Sequence, residues 1–96
     1  MKNLLHRKFP RIEGGLRSQG KFNKASRPGN PLVSIVTVCL NSEEHLEQTI
    51  QSVVGQKYDN IEYIIVDGGS SDGTMDIIKS YDSEIAYWVS EYDKGI

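Results

Sequence analysis

The chain carries the stretch IEYIIVDGGSSDGT at residues 61–74. An apolar run ends at a carboxylate, Asp67, and two glycines and a polar turn follow before a helical pattern begins. In α/β proteins this order places an acidic side chain at the carboxyl edge of a parallel sheet, where small ligands bind. The stretch therefore predicts an α/β fold with Asp67 at a ligand-binding edge.

Two more apolar runs flank this stretch and indicate strands. Residues 32–40 read LVSIVTVCL, in which both the odd-numbered and the even-numbered positions are mostly apolar, as in a strand covered on both faces. Residues 85–89 form a third apolar run. Helical spacing between the runs predicts two helices, the first with an apolar stripe of Leu46, Ile50, Val53 and Val54. The order is β-α-β-α-β, and right-handed crossovers make the three strands parallel with spatial order 3-2-1.

Polar residues and a glycine mark the ends of these helices. Asn41 with Glu44 three residues later has the pattern of a capping box, and Gly55 is suited to end the first helix. Asp72 is suited to cap the second helix. For Asp67, contact with a ligand is favoured over the alternative, in which its carboxylate only bonds the backbone amides of a tight turn.

Charge divides the chain into two parts. Residues 1–30 carry eight Lys or Arg against one acid, a balance of +7, and residues 31–96 carry three Lys against twelve acids, a balance of −9. The first part has too few apolar residues to offset chain entropy. We therefore predict a basic, flexible N-terminal tail at 1–30, more in keeping with a solvated arm than with a nucleic-acid or membrane surface, and a folded part at 31–96. No nucleic acid partner is expected.

Size and composition limit the class of protein. A body of about 66 residues with an open edge strand is marginal alone, so we expect the front part of a larger α/β domain, with an edge-to-edge dimer as the alternative. No run approaches the ~18 apolar residues of a membrane helix.

The single cysteine, Cys39, is expected to be a small buried hydrophobe. We expect a cytoplasmic location and leave attachment to the inner face of the membrane open.

Four segments together resemble the opening of a family 2 glycosyltransferase with the GT-A fold. They are residues 34–41 (SIVTVCLN), 46–56 (LEQTIQSVVGQ), 61–74 and 90–96 (SEYDKGI), in the order and spacing of the family. The resemblance implies the Rossmann-like, nucleotide-binding half of that fold. It also implies transfer of a sugar, with inversion, from a nucleotide-sugar donor, usually a UDP-sugar, to a glycan or lipid-linked acceptor in polysaccharide assembly.

The resemblance also assigns nucleotide-binding residues. Asp67 matches the acid that contacts the base, and Leu40 stands where many members have an aromatic residue that stacks on it. The expected nucleotide-binding residues are Thr37, Leu40, Asn41, Asp67, Gly68, Gly69, Ser70 and Asp93.

The residues that the family uses for chemistry are expected beyond residue 96. These are the Asp-x-Asp motif that holds Mg²⁺ or Mn²⁺ and the general base. No catalytic or metal-ligating residue is therefore assigned within the chain, and we expect the chain alone to be inactive. The alternative is a non-catalytic nucleotide-binding or assembly module. A phosphoacceptor role for Asp67 is disfavoured, because the first strand lacks an acidic cluster.

Overall fold

The computed structural model describes residues 11–92, so the predicted site residue Asp93 lies outside the described residues. The helices and strands are β1 (Ile12–Gly14), β2 (Val33–Cys39), α1 (Leu46–Val54), β3 (Ile61–Asp67), α2 (Thr74–Ser80) and β4 (Tyr87–Ser90). Short 3₁₀ turns lie at Arg17–Gln19 and Asp82–Glu84. Between residues 11 and 92, no helix combines the length and the apolar character needed to cross a membrane.

The sheet is mixed and has four strands in the order β1-β4-β3-β2. β2 and β3 pair in parallel, and so do β3 and β4, whereas β1 pairs with β4 in the antiparallel sense. The prediction of an α/β fold built on parallel strands is confirmed. The three predicted strands lie in the order β4-β3-β2, which is the predicted 3-2-1, but the sheet as a whole does not match the prediction, because residues 12–14 add a fourth, antiparallel strand beside β4.

β1 is held by polar contacts at the turn that precedes β4. One carboxylate oxygen of Asp82 accepts hydrogen bonds from the Gly15 amide and from Trp88 Nε1, both at 2.8 Å. The other oxygen accepts one from Gln19 Nε2 at 2.6 Å. Gly14 lies against the Trp88 ring so closely that a Cβ there would stand 2.4 Å from Cζ2. The register of β1 therefore depends on residues about 70 positions further along the chain.

Both helices pack on one face of the sheet. The α1 stripe buries Leu46, Ile50 and Val53 in a core that also contains Ile65 and Trp88. The opposite face is open in the described residues, where Val36 is 55% exposed and Val38 is 76% exposed. The prediction that the first strand is covered on both faces is therefore wrong for this part of the chain.

Candidate functional site

The three parallel strands end at one rim of the sheet, as the topology predicts. The Gly68 amide donates to the Cys39 carbonyl and the Glu91 amide donates to the Asp67 carbonyl, each at 3.0 Å. The Asn41 amide donates to Ser70 Oγ at 2.8 Å. The segments that follow β2, β3 and β4 are thus joined directly to one another at the carboxyl edge.

An open crevice of about 640 Å³ lies at this rim, on the face of the sheet away from the helices. Its base is apolar and comes from one valine of each parallel strand, Val38, Val66 and Val89. These three residues are neighbours in the strand register, so they form a single row across the sheet. The other lining residues are Cys39, Leu40, Asp67, Gly68, Glu91 and Tyr92.

Asp67 is buried, with only 1% of its surface exposed, and its carboxylate is fully engaged. Oδ2 accepts hydrogen bonds from the Gly69 amide at 3.0 Å, the Ser70 amide at 2.9 Å and Ser90 Oγ at 2.7 Å. Oδ1 accepts one from Ser70 Oγ at 2.5 Å and faces Cys39 Sγ at 3.5 Å. Burial opposes ionisation, but the bonds from Ser70, Ser90 and Gly69 prevail and lower the pKa of Asp67. The carboxylate therefore fixes the turn that follows β3.

Cys39 is the neutral neighbour of this carboxylate. Burial raises the pKa of the thiol to about 12, and the charge of Asp67 and its hydrogen bond act in the same direction. The thiol therefore stays protonated near neutral pH, where a nucleophilic or metal-binding cysteine would need to be a thiolate. Its position in the core fits the expected role of a small buried hydrophobe.

The loops after β2 and β3 are interlocked, and this arrangement corrects the predicted capping box. Asn41 adopts a positive φ of 46°, and its Oδ1 accepts a hydrogen bond from the Ser71 amide at 2.8 Å. α1 begins only at Leu46, with no side-chain cap at His45. Asn41 thus binds the neighbouring loop instead of its own helix. The predicted role of Asp72 fits better, because its Oδ1 accepts from the amide of Thr74, the first residue of α2, at 2.9 Å.

The predicted site residues fall into three groups. Leu40, Asp67 and Gly68 line the crevice. Asn41, Gly69 and Ser70 belong to the interlocked loops beside it. Thr37 lies two residues before the end of β2 and bonds the Tyr63 hydroxyl at 2.8 Å, away from the crevice.

Sequence reasoning did not single out Val66 and Val89. They form the apolar row with Val38 because they occupy the last outward-facing positions of their strands. Alternation along each strand, counted back from the rim, would have identified them.

Metal-binding groups are not assembled in the described residues. Between residues 11 and 92, no cluster of three or more His, Cys, Asp or Glu side chains could hold a metal ion. Within the crevice the two acids are Asp67, which is fully hydrogen bonded, and Glu91. This part of the chain therefore does not fit the divalent cation by itself.

Comparison with known proteins gives the family. Residues 34–96 match the family described as Glycosyl transferase family 2. An uncharacterized glycosyltransferase of Mycobacterium tuberculosis is 39% identical over 66 residues, which cover 68% of this chain and 25% of that protein. No solved structure matches.

Two further relatives carry more specific names. The Escherichia coli protein WfaP, a UDP-Glc:alpha-D-GlcNAc-diphosphoundecaprenol beta-1,3-glucosyltransferase, is 43% identical over 67% of this chain and 26% of its own length. TuaG of Bacillus subtilis, provisionally named as a teichuronic acid biosynthesis glycosyltransferase, is 44% identical over 54% of this chain and 21% of its own length. The chain thus spans about a fifth to a quarter of these relatives. On the match over residues 34–96, the chain belongs to glycosyl transferase family 2.

Proposed function

We propose that this chain forms the nucleotide-binding part of an inverting glycosyltransferase that uses a UDP-sugar in polysaccharide assembly. The observation that carries the proposal is the crevice at the carboxyl rim of three parallel strands, because small ligands bind α/β sheets at this edge. The name of the E. coli relative supports a UDP-sugar donor and an acceptor carried on a diphosphate-linked lipid. The family membership supports the reaction class.

In this proposal the base of the nucleotide lies on the apolar row of the crevice. Leu40 and Gly68 contact it from the loops that follow β2 and β3, and Gly69, whose φ of 94° suits glycine, forms the turn that holds Gly68 in place. Asn41 and Ser70 hold the two loops together, Thr37 supports β2 through Tyr63, and Asp93 borders the pocket.

Asp67 acts in this site mainly by shaping the loop. Its side chain is surrounded by donors from Ser70, Ser90 and Gly69, so contact with a base would require the exchange of one of those hydrogen bonds. A carboxylate that orders residues 68–71 presents their backbone to the ligand. Whether Asp67 orders the loop or contacts the base directly, removal of its negative charge should weaken nucleotide binding.

A divalent cation belongs to the reaction of the whole protein. Such an ion neutralises the charge that develops when a nucleoside diphosphate leaves. The described residues do not assemble ligands for it, so we place its ligands and the general base elsewhere in the protein.

Titration calorimetry with UDP tests the binding proposal. We expect UDP to bind, and Asp67→Asn to weaken binding by about 1.5–3 kcal/mol, the size of one of the charge-assisted hydrogen bonds by which Asp67 holds the loop. Asp76→Asn is the matched control, because Asp76 is an exposed acid on α2, away from the crevice. A folded chain that does not bind UDP contradicts the proposal, and unchanged binding by Asp67→Asn removes Asp67 from the site.

Turnover separates the catalytic proposal from the non-catalytic alternative. We expect the 96-residue chain alone to release no UDP from a UDP-sugar, because the cation ligands and base lie elsewhere in our proposal. Release above that of an Asp67→Ala control would contradict this expectation. A longer protein that contains this chain and binds UDP, but transfers no sugar to a lipid-linked acceptor, would favour the binding module.

A further inference from the structure

Tyr92 is the aromatic side chain among the described residues that line the crevice. It lies two residues beyond the end of β4 and is 46% exposed, so a large part of its surface faces solvent. The amide of the preceding residue, Glu91, donates to the Asp67 carbonyl at 3.0 Å, which continues the β3–β4 pairing up to the rim. The ring therefore stands at the mouth of the crevice on a backbone that the sheet holds in place.

The loop after β3 is shaped to receive this residue. A Cβ on Gly69 would stand 3.0 Å from the Tyr92 Cα and 3.5 Å from both Cβ and Cδ1 of its side chain. Gly69 also has a positive φ of 94°, which residues other than glycine rarely adopt. The same loop that Asp67 orders thus packs closely against Tyr92 and sets its position.

Leu40 stands on the other side of the crevice and is 58% exposed. It follows β2 and Tyr92 follows β4, so the two lie two strand spacings apart, about 10 Å between backbones. Both side chains line the crevice. Val38, Val66 and Val89 form its apolar base.

We propose that Tyr92 stacks on the base of the nucleotide bound in the crevice, opposite Leu40. This inference rests on the proposed function. It adds an aromatic contact from the segment after β4, whereas the loop after β2 offers only the aliphatic side chain of Leu40. The local chemistry favours the base over the diphosphate, because the floor is apolar and the neighbouring Glu91 would repel phosphate oxygens. A neutral, flat ligand group suits both the apolar floor and the Tyr92 ring.

The test uses titration calorimetry of the full chain with UDP and with inorganic pyrophosphate, which lacks a base. Stacking of a base on an aromatic side chain is lost on alanine substitution, so we expect Tyr92→Ala to weaken UDP binding about tenfold or more. Any affinity for pyrophosphate should not change in this variant. Tyr92→Phe should keep UDP affinity within about twofold, because the ring is retained.

A matched control and a spectroscopic measurement complete the design. Tyr58→Ala removes a partly exposed tyrosine that lines a different cavity, near the start of β3, and should leave UDP binding unchanged. Tyr92→Trp should show fluorescence quenching when UDP is added but not when pyrophosphate is added.

The outcomes separate the two proposals. If the wild-type chain binds UDP and Tyr92→Ala binds it equally well, the stacking inference is wrong while the proposed function stands. An equal loss of UDP and pyrophosphate binding in Tyr92→Ala, or a loss in Tyr92→Phe as large as in Tyr92→Ala, also overturns stacking. A folded wild-type chain that binds no UDP overturns both.

Discussion

Asp67 keeps a negative charge in a position closed to solvent, and donors from two chain segments offset the cost of its burial. In Asp67→Asn an amide group replaces one of the acceptor oxygens, so at least one donor loses its partner inside the protein. Unsatisfied buried donors and lost charge-assisted bonds each cost on the order of 1–3 kcal/mol. We expect this variant to lower the free energy of unfolding by about 3 kcal/mol, measured by urea denaturation.

The exposed Asp76 provides the control for this measurement, because Asp76→Asn should cost no more than a few tenths of a kcal/mol. The pH dependence gives a second check. The pKa of Asp67 is lowered in the folded state, so its stabilisation is complete above the ordinary carboxyl pKa near 4 and is lost as the pH falls through the folded value. The stability gap between wild type and Asp67→Asn should therefore narrow below about pH 4, and a constant gap would show that ionisation is not the cause.

The thiol of Cys39 gives a chemical measure of the same cluster. With a pKa of about 12, it holds about a thousandfold less thiolate at pH 8 than an ordinary exposed cysteine. We expect iodoacetamide to label the native chain correspondingly slowly, followed by mass spectrometry, and to label it rapidly in urea. Rapid labelling of the folded chain would contradict the burial and the raised pKa together.

At the scale of elements, β1 can be tested through the single tryptophan of the chain, Trp88. A Cβ on Gly14 would collide with the Trp88 ring at 2.4 Å, so Gly14→Ala should displace β1 and expose a ring that is now 5% exposed. We expect a red shift of tryptophan emission and a lower melting temperature.

Gly20→Ala is the control for β1. A Cβ on Gly20 would meet no other atom within 4 Å, and the φ there is 69°. The substitution therefore costs about 1 kcal/mol of backbone strain without moving Trp88. Equal emission spectra for the two variants would contradict the docking of β1. Deletion of residues 1–30 removes β1 together with partners of Asp82, so we expect a fall in melting temperature; an unchanged melting temperature would instead support the predicted flexible tail.

The elements that the sequence predicted correctly are those with strong local signals. β2 and β3 are largely apolar runs, and α1 has an apolar stripe whose Leu46, Ile50 and Val53 are buried. Gly55 was expected at the end of α1, and its amide donates to the Gln51 carbonyl at 2.9 Å. Periodicity of this kind reports burial on one element and needs no knowledge of the partner.

The elements that it missed depend on distant partners. β1 has three residues and one large apolar side chain, so its pairing depends on β4 and on Asp82. Asn41 is a residue type that often caps helices, but its side chain accepts a hydrogen bond from the backbone amide of Ser71, which is 30 residues away. In the candidate site, the meeting of the strand ends at one rim could be predicted from the parallel topology. That every oxygen of the Asp67 carboxylate is hydrogen bonded could not, because one of the donors, Ser90, lies on another strand.

At the scale of the whole molecule, the two faces of the sheet are unequal. One face carries α1 and α2 and is buried, and the other presents Val36, Val38 and Val66 to solvent in the part of the chain that the structure describes. β2 is also the last strand of the sheet, so its outer backbone groups have no strand beside them in residues 11–92. Extended apolar surface next to an open strand edge promotes association with another chain.

We therefore expect the 96-residue chain to self-associate in a concentration-dependent way, measured by sedimentation velocity. Val36→Lys should reduce the association, because it places a charge on the apolar face while leaving the crevice lining intact. Gln48→Lys adds the same charge on the exposed side of α1 and serves as the control for net charge alone. If both variants reduce association equally, overall charge repulsion is the cause. A wild-type chain that is monomeric at all concentrations would show that the open face does not drive self-association. A selective effect of Val36→Lys would identify this face as the surface through which copies of the chain associate.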